Sequence, residues 1–403
     1  MRRTFLPCVL CALACAAHAG DEVDELAASK GSAAEAQLHK QLKAAVHTIP
    51  GTSTQYLIGG YVQLDAIAGR KRQSGEEQNT FLVSSTPFAP ADRDTLLSIR
   101  QSQINWISKT STSAGEFGTR LEANLFPIDG ETRFTLNQAY VQLGDGLIAG
   151  KTYSTFMDDA ALPTTLDYNG PSGVTFVRQW LLRGSWEFAK GWTLDGSVEE
   201  SQADLTAGGA LASAQVKSSR PDLAARVRFE SDAGHVQLAG LSRRVKASLA
   251  GPFETIERDV DGQGISLSGS LNVLGEDSLI FQAASGKGIG RYFNDPLSAT
   301  GLALGPDRRL HLVRASGATL YYQHKWAPDW MTVAGASTAW IGDEGLRPPT
   351  ALKRTTYASV NLIHRLTPRT MLGGELLWGE ATRLDGSTAN NARLQLSVRY
   401  LLF

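Results

Sequence analysis

Arginine side chains recur at alternate positions of several extended segments, and they offer the clearest chemistry in the chain. On the polar side of this period-two pattern lie Arg120, Arg183, Arg226, Arg228, Arg393 and Arg399. Acidic residues share that side, among them Asp65, Glu122, Asp195, Glu199, Glu230 and Glu375. A guanidinium group is a rigid fork of donors that suits carboxylates. Mixed charge across a confined space also creates a field that orients anionic or dipolar solutes. The alternative is that these charges neutralise one another and only support the surrounding wall.

The chain offers little for catalysis. Its cysteines, Cys8, Cys11 and Cys15, all lie in the first nineteen residues, and its histidines are scattered. No glycine-rich phosphate loop and no metal-ligand spacing is present. The 39 basic and 40 acidic residues nearly cancel, which gives no argument for nucleic acid as a partner. We therefore expect no enzyme, no metal site, no cofactor and no nucleic-acid partner.

The charged residues sit on segments in which polar and apolar residues alternate from residue 56 onward. At the carboxyl end, for example, Leu394, Leu396 and Val398 alternate with Gln395 and Ser397. Such runs form β-strands with one apolar and one polar face. The arginines and carboxylates would then share the polar face of each strand.

The predicted connections between these strands alternate in length. Short turns are expected at residues 144–145, 189–191, 232–233, 275–277, 327–329 and 366–368. Long loops are expected near residues 69–96, 152–173, 203–220, 248–259, 287–310, 342–351 and 382–390. Outer-membrane barrels have short turns at one end and long loops at the other. The pattern thus predicts an all-β fold, a transmembrane antiparallel β-barrel of about 16 strands over residues 56–403, which would leave an aqueous lumen.

The amino-terminal part differs from the rest. Basic residues, an apolar run and the small residues Ala17 and Ala19 predict a signal peptide over residues 1–19, and therefore export. Residues 20–50 are rich in Ala, Glu and Lys and predict a periplasmic helical, coiled-coil-like extension. A frayed, solvated helix is the alternative for this segment.

The segment 152–173 has no period but carries much apolar surface. Pro163 and Pro171 interrupt both helix and sheet, while Phe156 and Leu166 give it a composition that argues against disorder. A loop of this length without secondary structure is usually functional. We expect it to fold into the lumen of the barrel and narrow it.

Further pore-lining or solute-binding candidates lie in or beside this loop, namely Lys151, Tyr153, Asp158 and Arg178. Lys151 and Arg178 would stand at the mouths of the flanking strands. The alternative for Asp158 is that its carboxylate caps a turn or accepts hydrogen bonds from loop backbone. A ladder of cations past the loop is predicted, formed by Arg178, Arg183, Arg226 and Arg228.

Several segments resemble the DcaP-like trimeric outer-membrane porin family. The resemblance rests mainly on residues 162–171 (LPTTLDYNGP) with 177–179 (VRQ), and on 58–65 (IGGYVQLD) and 139–144 (AYVQLG). It implies a sixteen-stranded barrel, a homotrimer, a periplasmic extension and passage of small anions such as dicarboxylates or aromatic acids. The chain departs from the family at lumen positions where basic residues are expected, namely Gln63, Gln103, Asn137 and Gln138.

The sequence therefore predicts a passive channel in the bacterial outer membrane, in contact with membrane lipid and carrying small organic acids. A non-selective or neutral-solute porin is one alternative. A barrel whose long loops bind a partner outside the cell, as an adhesin or receptor, is another. A soluble exported β-protein is a third, but alternating loop lengths do not favour it.

Overall fold

The computed structural model describes residues 46–73, 80–126, 132–201, 205–206, 215–218, 220–250, 255–295, 301–304, 310–343 and 345–402. The predicted signal peptide and nearly all of the predicted helical extension lie outside these residues. The last residues of that extension are described, and there His47–Thr48 is a short strand that pairs with Tyr56 and Gln55. The chain is thus extended rather than helical at this point.

Sixteen antiparallel strands form a closed barrel. They are β1 Thr54–Gly69, β2 Asp94–Ser98 with Gln103–Thr112, β3 Gly115–Asn124, β4 Thr135–Leu143, β5 Leu147–Tyr153, β6 Arg178–Ala189, β7 Trp192–Glu199, β8 Asp222–Ser231, β9 Gly234–Ala250, β10 Thr255–Leu274, β11 Asp277–Lys287, β12 Arg314–Ala327, β13 Trp330–Ile341, β14 Leu352–Thr367, β15 Thr370–Arg383 and β16 Thr388–Leu401. Each strand pairs with its neighbours in sequence, and β1 pairs with β16 to close the wall.

The wall follows the predicted alternation. On β16 the side chains of Leu394, Leu396 and Val398 are exposed on the outer surface, whereas Gln395 and Ser397 are buried in the lumen. The reason is the two-residue period of a strand, which sends successive side chains to opposite faces of the sheet. A lipid-facing band and a polar interior follow from one sequence pattern.

The connections also alternate. Short turns at one end of the barrel span residues 113–114, 144–146, 190–191, 232–233, 275–276, 328–329 and 368–369. At Gly191 the backbone φ is 75°, and a Cβ there would come within 2.4 Å of the Glu230 carbonyl oxygen, so this tight turn requires glycine. Long loops project from the opposite end, which we call the long-loop end.

One predicted loop is corrected by the structure. Residues 248–259 were expected to form a loop, but β9 continues to Ala250 and β10 begins at Thr255. Charged side chains such as Arg244 and Asp259 alternate here on the outer face, with an ion-pair distance of 3.6 Å between them. Strands that extend beyond the apolar band have polar residues on their outer face, so the hydrophobic alternation disappears while the strands continue.

The remaining elements are small. Short 3-10 helices lie at Val83–Ser85, Asp159–Ala161 and Gly290–Tyr292. A separate three-stranded sheet joins Leu205–Thr206, Leu302–Leu304 and Leu310–Leu312, and Gln215–Ser218 pairs with the long-loop end of β9. Among the described residues, no helix has the length and hydropathy needed to cross a membrane.

Candidate pore constriction

The loop between β5 and β6, residues 154–177, lies inside the barrel and is called the constriction loop below. Its first attachment is the carboxylate of Asp158. One oxygen accepts hydrogen bonds from His235 Nε2 at 2.9 Å and Ser268 Oγ at 2.8 Å, and the other contacts Arg228 Nη1 at 3.1 Å. Burial by itself raises the pKa of Asp158, but the hydrogen bonds from His235 and Ser268 and the charge of Arg228 hold this pKa well below the usual range. The loop is thereby fixed to β8, β9 and β10.

The second attachment is at the other side of the lumen. Glu375 on β15 accepts hydrogen bonds from the backbone N–H groups of Leu166 and Asp167, at 2.7 and 2.8 Å. The Leu166 carbonyl accepts from Gln395 on β16 at 2.6 Å and from Gln101 at 2.8 Å. The Leu166 side chain packs directly on Gly373. A Cβ atom at position 373 would lie 2.7 Å from Leu166 Cδ1, so this packing requires glycine. This segment of the loop is therefore bound on both its polar and apolar sides.

The loop then crosses back to β11, β12 and β13. Gly173 lies so close to the wall that a Cβ would approach the Thr338 carbonyl oxygen to 2.5 Å. Thr175 donates to Gln282 Oε1 through both its backbone N–H and its hydroxyl, at 3.3 and 3.2 Å. The constriction loop thus touches opposite walls and divides the lumen.

Two other loops fold inward and are hydrogen-bonded to the constriction loop. The sequence interpretation did not predict these contacts. Phe81, in the loop after β1, donates its backbone N–H to Asp167 Oδ1 at 2.9 Å. Tyr292, in the loop after β11, accepts from Phe176 N through its carbonyl oxygen at 2.8 Å. Ser84 N donates to Asp295 Oδ2 at 3.0 Å and so joins these two loops to each other. Apolar side chains from these loops and the wall form the lumen's two hydrophobic clusters.

Asp167, which joins the constriction loop to the loop after β1, makes the stability of the fold depend on pH. Burial raises the pKa of this carboxyl from 3.8 to about 6, against the opposing effects of Arg393 and of N–H donation by Phe81 and Gly170. Because the folded chain then binds this proton more tightly than the unfolded chain does, lowering the pH from about 7 to 4 stabilises the fold. The gain is at most about 3 kcal/mol for a shift of about two pKa units, and it is complete below the unfolded pKa.

We expect the unfolding temperature in detergent, measured from pH 4 to 8, to fall more steeply with rising pH for the wild type than for Asp167→Asn. The substitution keeps the side-chain shape and removes the ionisable group, so the difference between the two curves reports the titration of Asp167 together with its coupling to Glu375. Parallel curves for the two proteins would contradict a titrating Asp167.

An opening remains between the constriction loop and the wall formed by β1 to β4 and β16. Its volume is about 110 Å³, below the roughly 300–1,000 Å³ typical of closed small-molecule sites, so the opening is a narrow passage. Its charged and aromatic lining residues are Tyr61, Glu122, Tyr153, Asp167, Tyr168, Phe176, Arg178 and Arg399, and its uncharged polar lining includes Gln101, Gln103, Asn137 and Asn169.

Two guanidinium groups face this opening from different sides. Arg399 on β16 lies over the ring of Tyr61 at 4.3 Å and donates through Nε to Gln63 Oε1 at 2.6 Å. Arg178, where the constriction loop joins β6, lies 5.5 Å from the Tyr153 ring and 5.0 Å from the Phe176 ring. Aromatic faces stabilise and orient a guanidinium without using its hydrogen-bond donors. Both groups are therefore held in place beside the opening.

The acidic wall residue at the opening is partly neutralised. Arg120 Nη2 lies 2.7 Å from Glu122 Oε2, and both side chains are almost fully buried. Gln138 Nε2 donates to the same oxygen at 2.8 Å. Of the two acidic residues among the described lining residues, Glu122 thus already has a cation beside it, and Asp167 accepts hydrogen bonds from the backbone N–H groups of Phe81 and Gly170.

The other predicted arginines lie away from the opening, toward the short-turn end of the lumen. Arg226 is paired with Asp195 at 2.5 Å, and Arg228 with Asp158 and with Glu230 at 3.2 Å. Arg183 donates to the carbonyl oxygen of Tyr153 at 3.5 Å. All three face the lumen, but their contacts fasten the constriction loop or the wall.

Three predicted pore-lining residues are corrected. Lys151 has Trp180 as its cross-strand partner, and Trp180 is exposed on the outer face, so Lys151 also points outward. Asp158 is fully covered and is an attachment of the loop, the alternative given for it above. Arg393 is buried, with Nη2 donating to Gln73 at 3.0 Å and its guanidinium over the ring of Phe81. It packs under the inward loop after β1 and does not line the opening.

A closed antiparallel barrel with an apolar outer face and a narrowed polar lumen is a transmembrane channel of the outer-membrane class. The chain belongs to the porin family, because the family model described as "Porin subfamily" matches residues 44–342. It is therefore a channel of the bacterial outer membrane. No curated protein sequence matches the chain. Among the residues that the structure describes, no group of three or more His, Cys, Asp or Glu side chains is arranged to hold a metal ion.

Solved structures share this fold at low sequence identity. The outer-membrane channel DcaP of Acinetobacter baumannii superposes with a TM-score of 0.77 at 16% identity, covering 89% of this chain and all of that one. OmpT of Vibrio cholerae gives 0.55 at 12% identity, with 88% and 99% covered. An anion-selective porin from Comamonas acidovorans gives 0.54 at 13%, with 87% and 100% covered. The resemblance to DcaP-like porins found in the sequence therefore extends to the fold.

Proposed function

We propose that this porin carries small organic anions, such as dicarboxylates or aromatic acids. The observation that carries the proposal is the pair Arg178 and Arg399, whose guanidinium groups line one opening and are each held against aromatic rings. A carboxylate accepts two parallel hydrogen bonds from such a fork. Tyr61, Tyr153, Tyr168 and Phe176 in the same lining supply faces for an aromatic solute.

A neutral-solute porin is the second candidate, and the lining gives it specific support. Gln103 and Asn137 face the opening, and Gln63 and Gln138 lie directly behind it. These are the positions where the resemblance to the DcaP-like family leads to the expectation of basic residues. Amide side chains offer both donors and acceptors and suit hydroxylated or amide-bearing solutes.

Planar-bilayer recording of the purified protein tests both candidates. For the organic-anion porin, the reversal potential in a KCl gradient has the sign of anion preference, and millimolar dicarboxylate blocks the current while a neutral sugar of similar size does not. Conductance without anion preference and without block by the dicarboxylate would favour the neutral-solute porin.

The ladder of cations past the constriction loop, formed by Arg178, Arg183, Arg226 and Arg228, remains a prediction. A substitution of Arg183 tests it. Arg183 lies between the opening and Arg226, so its charge would guide an anion leaving the opening toward the short-turn end. We expect Arg183→Ala to reduce anion preference and organic-acid uptake into liposomes by a few-fold, as for one screened charge of about 1 kcal/mol. Unchanged selectivity and uptake would mean that the ladder does not operate.

We further propose that the chain assembles as a homotrimer and, after removal of residues 1–19, retains the extension over residues 20–50, which is helical ahead of the extended residues His47–Thr48. A trimer form has been solved for OmpT, which shares the fold. Conductance steps in groups of three would support the trimer. The measured mass of the protein purified from membranes tests the cleavage before Gly20.

A further inference from the structure

The side chain of Tyr168 reaches from the constriction loop to the long-loop end of β3, at the edge of the opening. Its hydroxyl accepts a hydrogen bond from Asn124 Nδ2 at 2.5 Å. Its ring stacks on Phe126, with 3.9 Å between the ring centroids and 12° between the ring planes. The backbone N–H of Phe126 in turn donates to Asn124 Oδ1 at 3.1 Å. One aromatic side chain of the loop is thus held at two points of the facing wall.

The opening is too small for an aromatic solute while Tyr168 keeps this position. The volume of the opening is about 110 Å³. A protein cavity that binds benzene measures about 150 Å³. Chloride and acetate need less room than a benzene ring that carries a carboxylate. Passage of an aromatic acid therefore requires that a group lining the opening moves, whereas passage of the smaller anions does not.

The backbone on both sides of Tyr168 is fixed, so the part that can move is its side chain. Before it, Asp167 N donates to Glu375 on β15 at 2.8 Å, and after it, Gly170 N donates to Asp167 Oδ2 at 3.2 Å. Asp167 and Gly170 are buried, whereas Tyr168 is half-buried. Partly exposed side chains change rotamer far faster than loops rearrange. Rotation of Tyr168 leaves the attachments of the constriction loop intact.

The other three aromatic residues of the lining are held more firmly. Tyr61 and Tyr153 are buried. Phe176 lies 5.0 Å from the guanidinium of Arg178 and packs edge-on against the Tyr153 ring, with 5.7 Å between centroids. Moving one of these rings would also displace an arginine or a buried neighbour. Tyr168 is therefore the aromatic lining residue whose movement disturbs the site least.

We propose that the Tyr168 side chain is a gate, which must rotate away from Asn124 and Phe126 before an organic anion with an aromatic ring can pass. The inference rests on the proposed organic-anion function, since Tyr168 lines the same opening as Arg178 and Arg399. Tyr168 sets the size limit of the channel, and the two guanidinium groups set its charge preference. Phe126 lies outside the lining and acts as a positioning residue for the gate.

Reversal potentials in planar bilayers, with chloride on one side and acetate or benzoate on the other, test this gate. The two acids carry the same charge and differ in the ring. We expect Tyr168→Ala to raise the benzoate-to-acetate permeability ratio about tenfold, because opening then breaks neither the stack nor the hydrogen bond. Phe126→Ala removes the stack alone and should raise the ratio about threefold. The double variant should match Tyr168→Ala, because Phe126 acts through Tyr168.

Tyr56→Ala is the matched control for loss of a stacked tyrosine. The Tyr56 ring stacks on Trp106, with 4.8 Å between centroids. Trp106 is the cross-strand partner of Ile58 and Leu121, which are exposed on the outer face, so this pair lies outside the lumen. The permeability ratio of Tyr56→Ala should equal that of the wild type. An increase equal to that of Tyr168→Ala would contradict a gate at the opening.

Two further outcomes would overturn the proposal. An unchanged ratio in Tyr168→Ala would show that the ring does not limit passage, and a lowered ratio would show that Tyr168 holds the solute instead of blocking it. The chloride-to-potassium permeability ratio, measured in the same membranes, reports the proposed function separately. If the channel had no anion preference but the benzoate-to-acetate ratio rose in Tyr168→Ala, the organic-anion function would be wrong and the gate would be supported.

Discussion

Replacing Arg178 and Arg399 together with glutamine is expected to abolish the anion preference of the channel. Both guanidinium groups line the same opening, so an anion there loses two favourable interactions at once. At an effective dielectric constant of about 20, unit charges about 8 Å apart interact by about 2 kcal/mol, and salt screens part of this. We expect the anion-to-cation permeability ratio, taken from reversal potentials, to fall by about tenfold or more, since tenfold corresponds to about 1.4 kcal/mol.

Two matched variants separate this effect from loss of structure. Arg354→Gln removes a cation from the outer face, where it lies beside Glu380, and should leave selectivity unchanged. Arg399→Lys keeps the charge but loses the fork and its place over the Tyr61 ring. It should therefore preserve ion selectivity while weakening block by a dicarboxylate. If the glutamine double variant kept the wild-type reversal potential, the opening between the constriction loop and β1 would not be the ion path.

The strands could be predicted because their signal is local. On β15 the outward Leu376 and Trp378 alternate with the inward Glu375 and Leu377, as the two-residue period requires. The lumen-side position of Arg120 and Arg399 follows from the same alternation of side chains along their strands. This alternation is less informative on β5, where the consecutive residues Leu147 and Ile148 are both apolar. The outward direction of Lys151 becomes clear only through its partner Trp180.

The interlocking of the loops was beyond the sequence interpretation, because it depends on contacts between residues far apart in the chain. Asp167 joins the constriction loop to Phe81, and Asp295 joins the loop after β11 to Ser84. One signal was present in the sequence, namely the apolar residues Phe81 and Phe293 inside long loops. Apolar residues in the segment 152–173 led to the prediction that it folds into the lumen, and the same argument applies to the loops that carry Phe81 and Phe293.

Glu375 is the residue whose loss should change the constriction most. Its carboxylate is buried and accepts hydrogen bonds from the backbone of Leu166 and Asp167 and from Asn361 Nδ2 at 3.4 Å. Alanine at this position leaves both backbone donors without this acceptor in a covered site. Each such donor costs about 1–3 kcal/mol, so we expect the attachment of this segment, which loses the acceptor of two donors, to weaken by about 2–6 kcal/mol.

A weakened attachment frees the loop segment that closes one side of the opening. Single-channel recordings of Glu375→Ala should therefore show a higher mean conductance and more frequent transitions between levels than the wild type. Glu375→Gln retains a carbonyl oxygen for the two backbone donors and removes only the ionisable group, so its conductance should match that of the wild type. Asp158, at the other attachment, remains intact in both variants and keeps the loop in the lumen. Equal conductance of the alanine and glutamine variants would mean that the apolar seat of Leu166 against Gly373 holds the loop without the carboxylate.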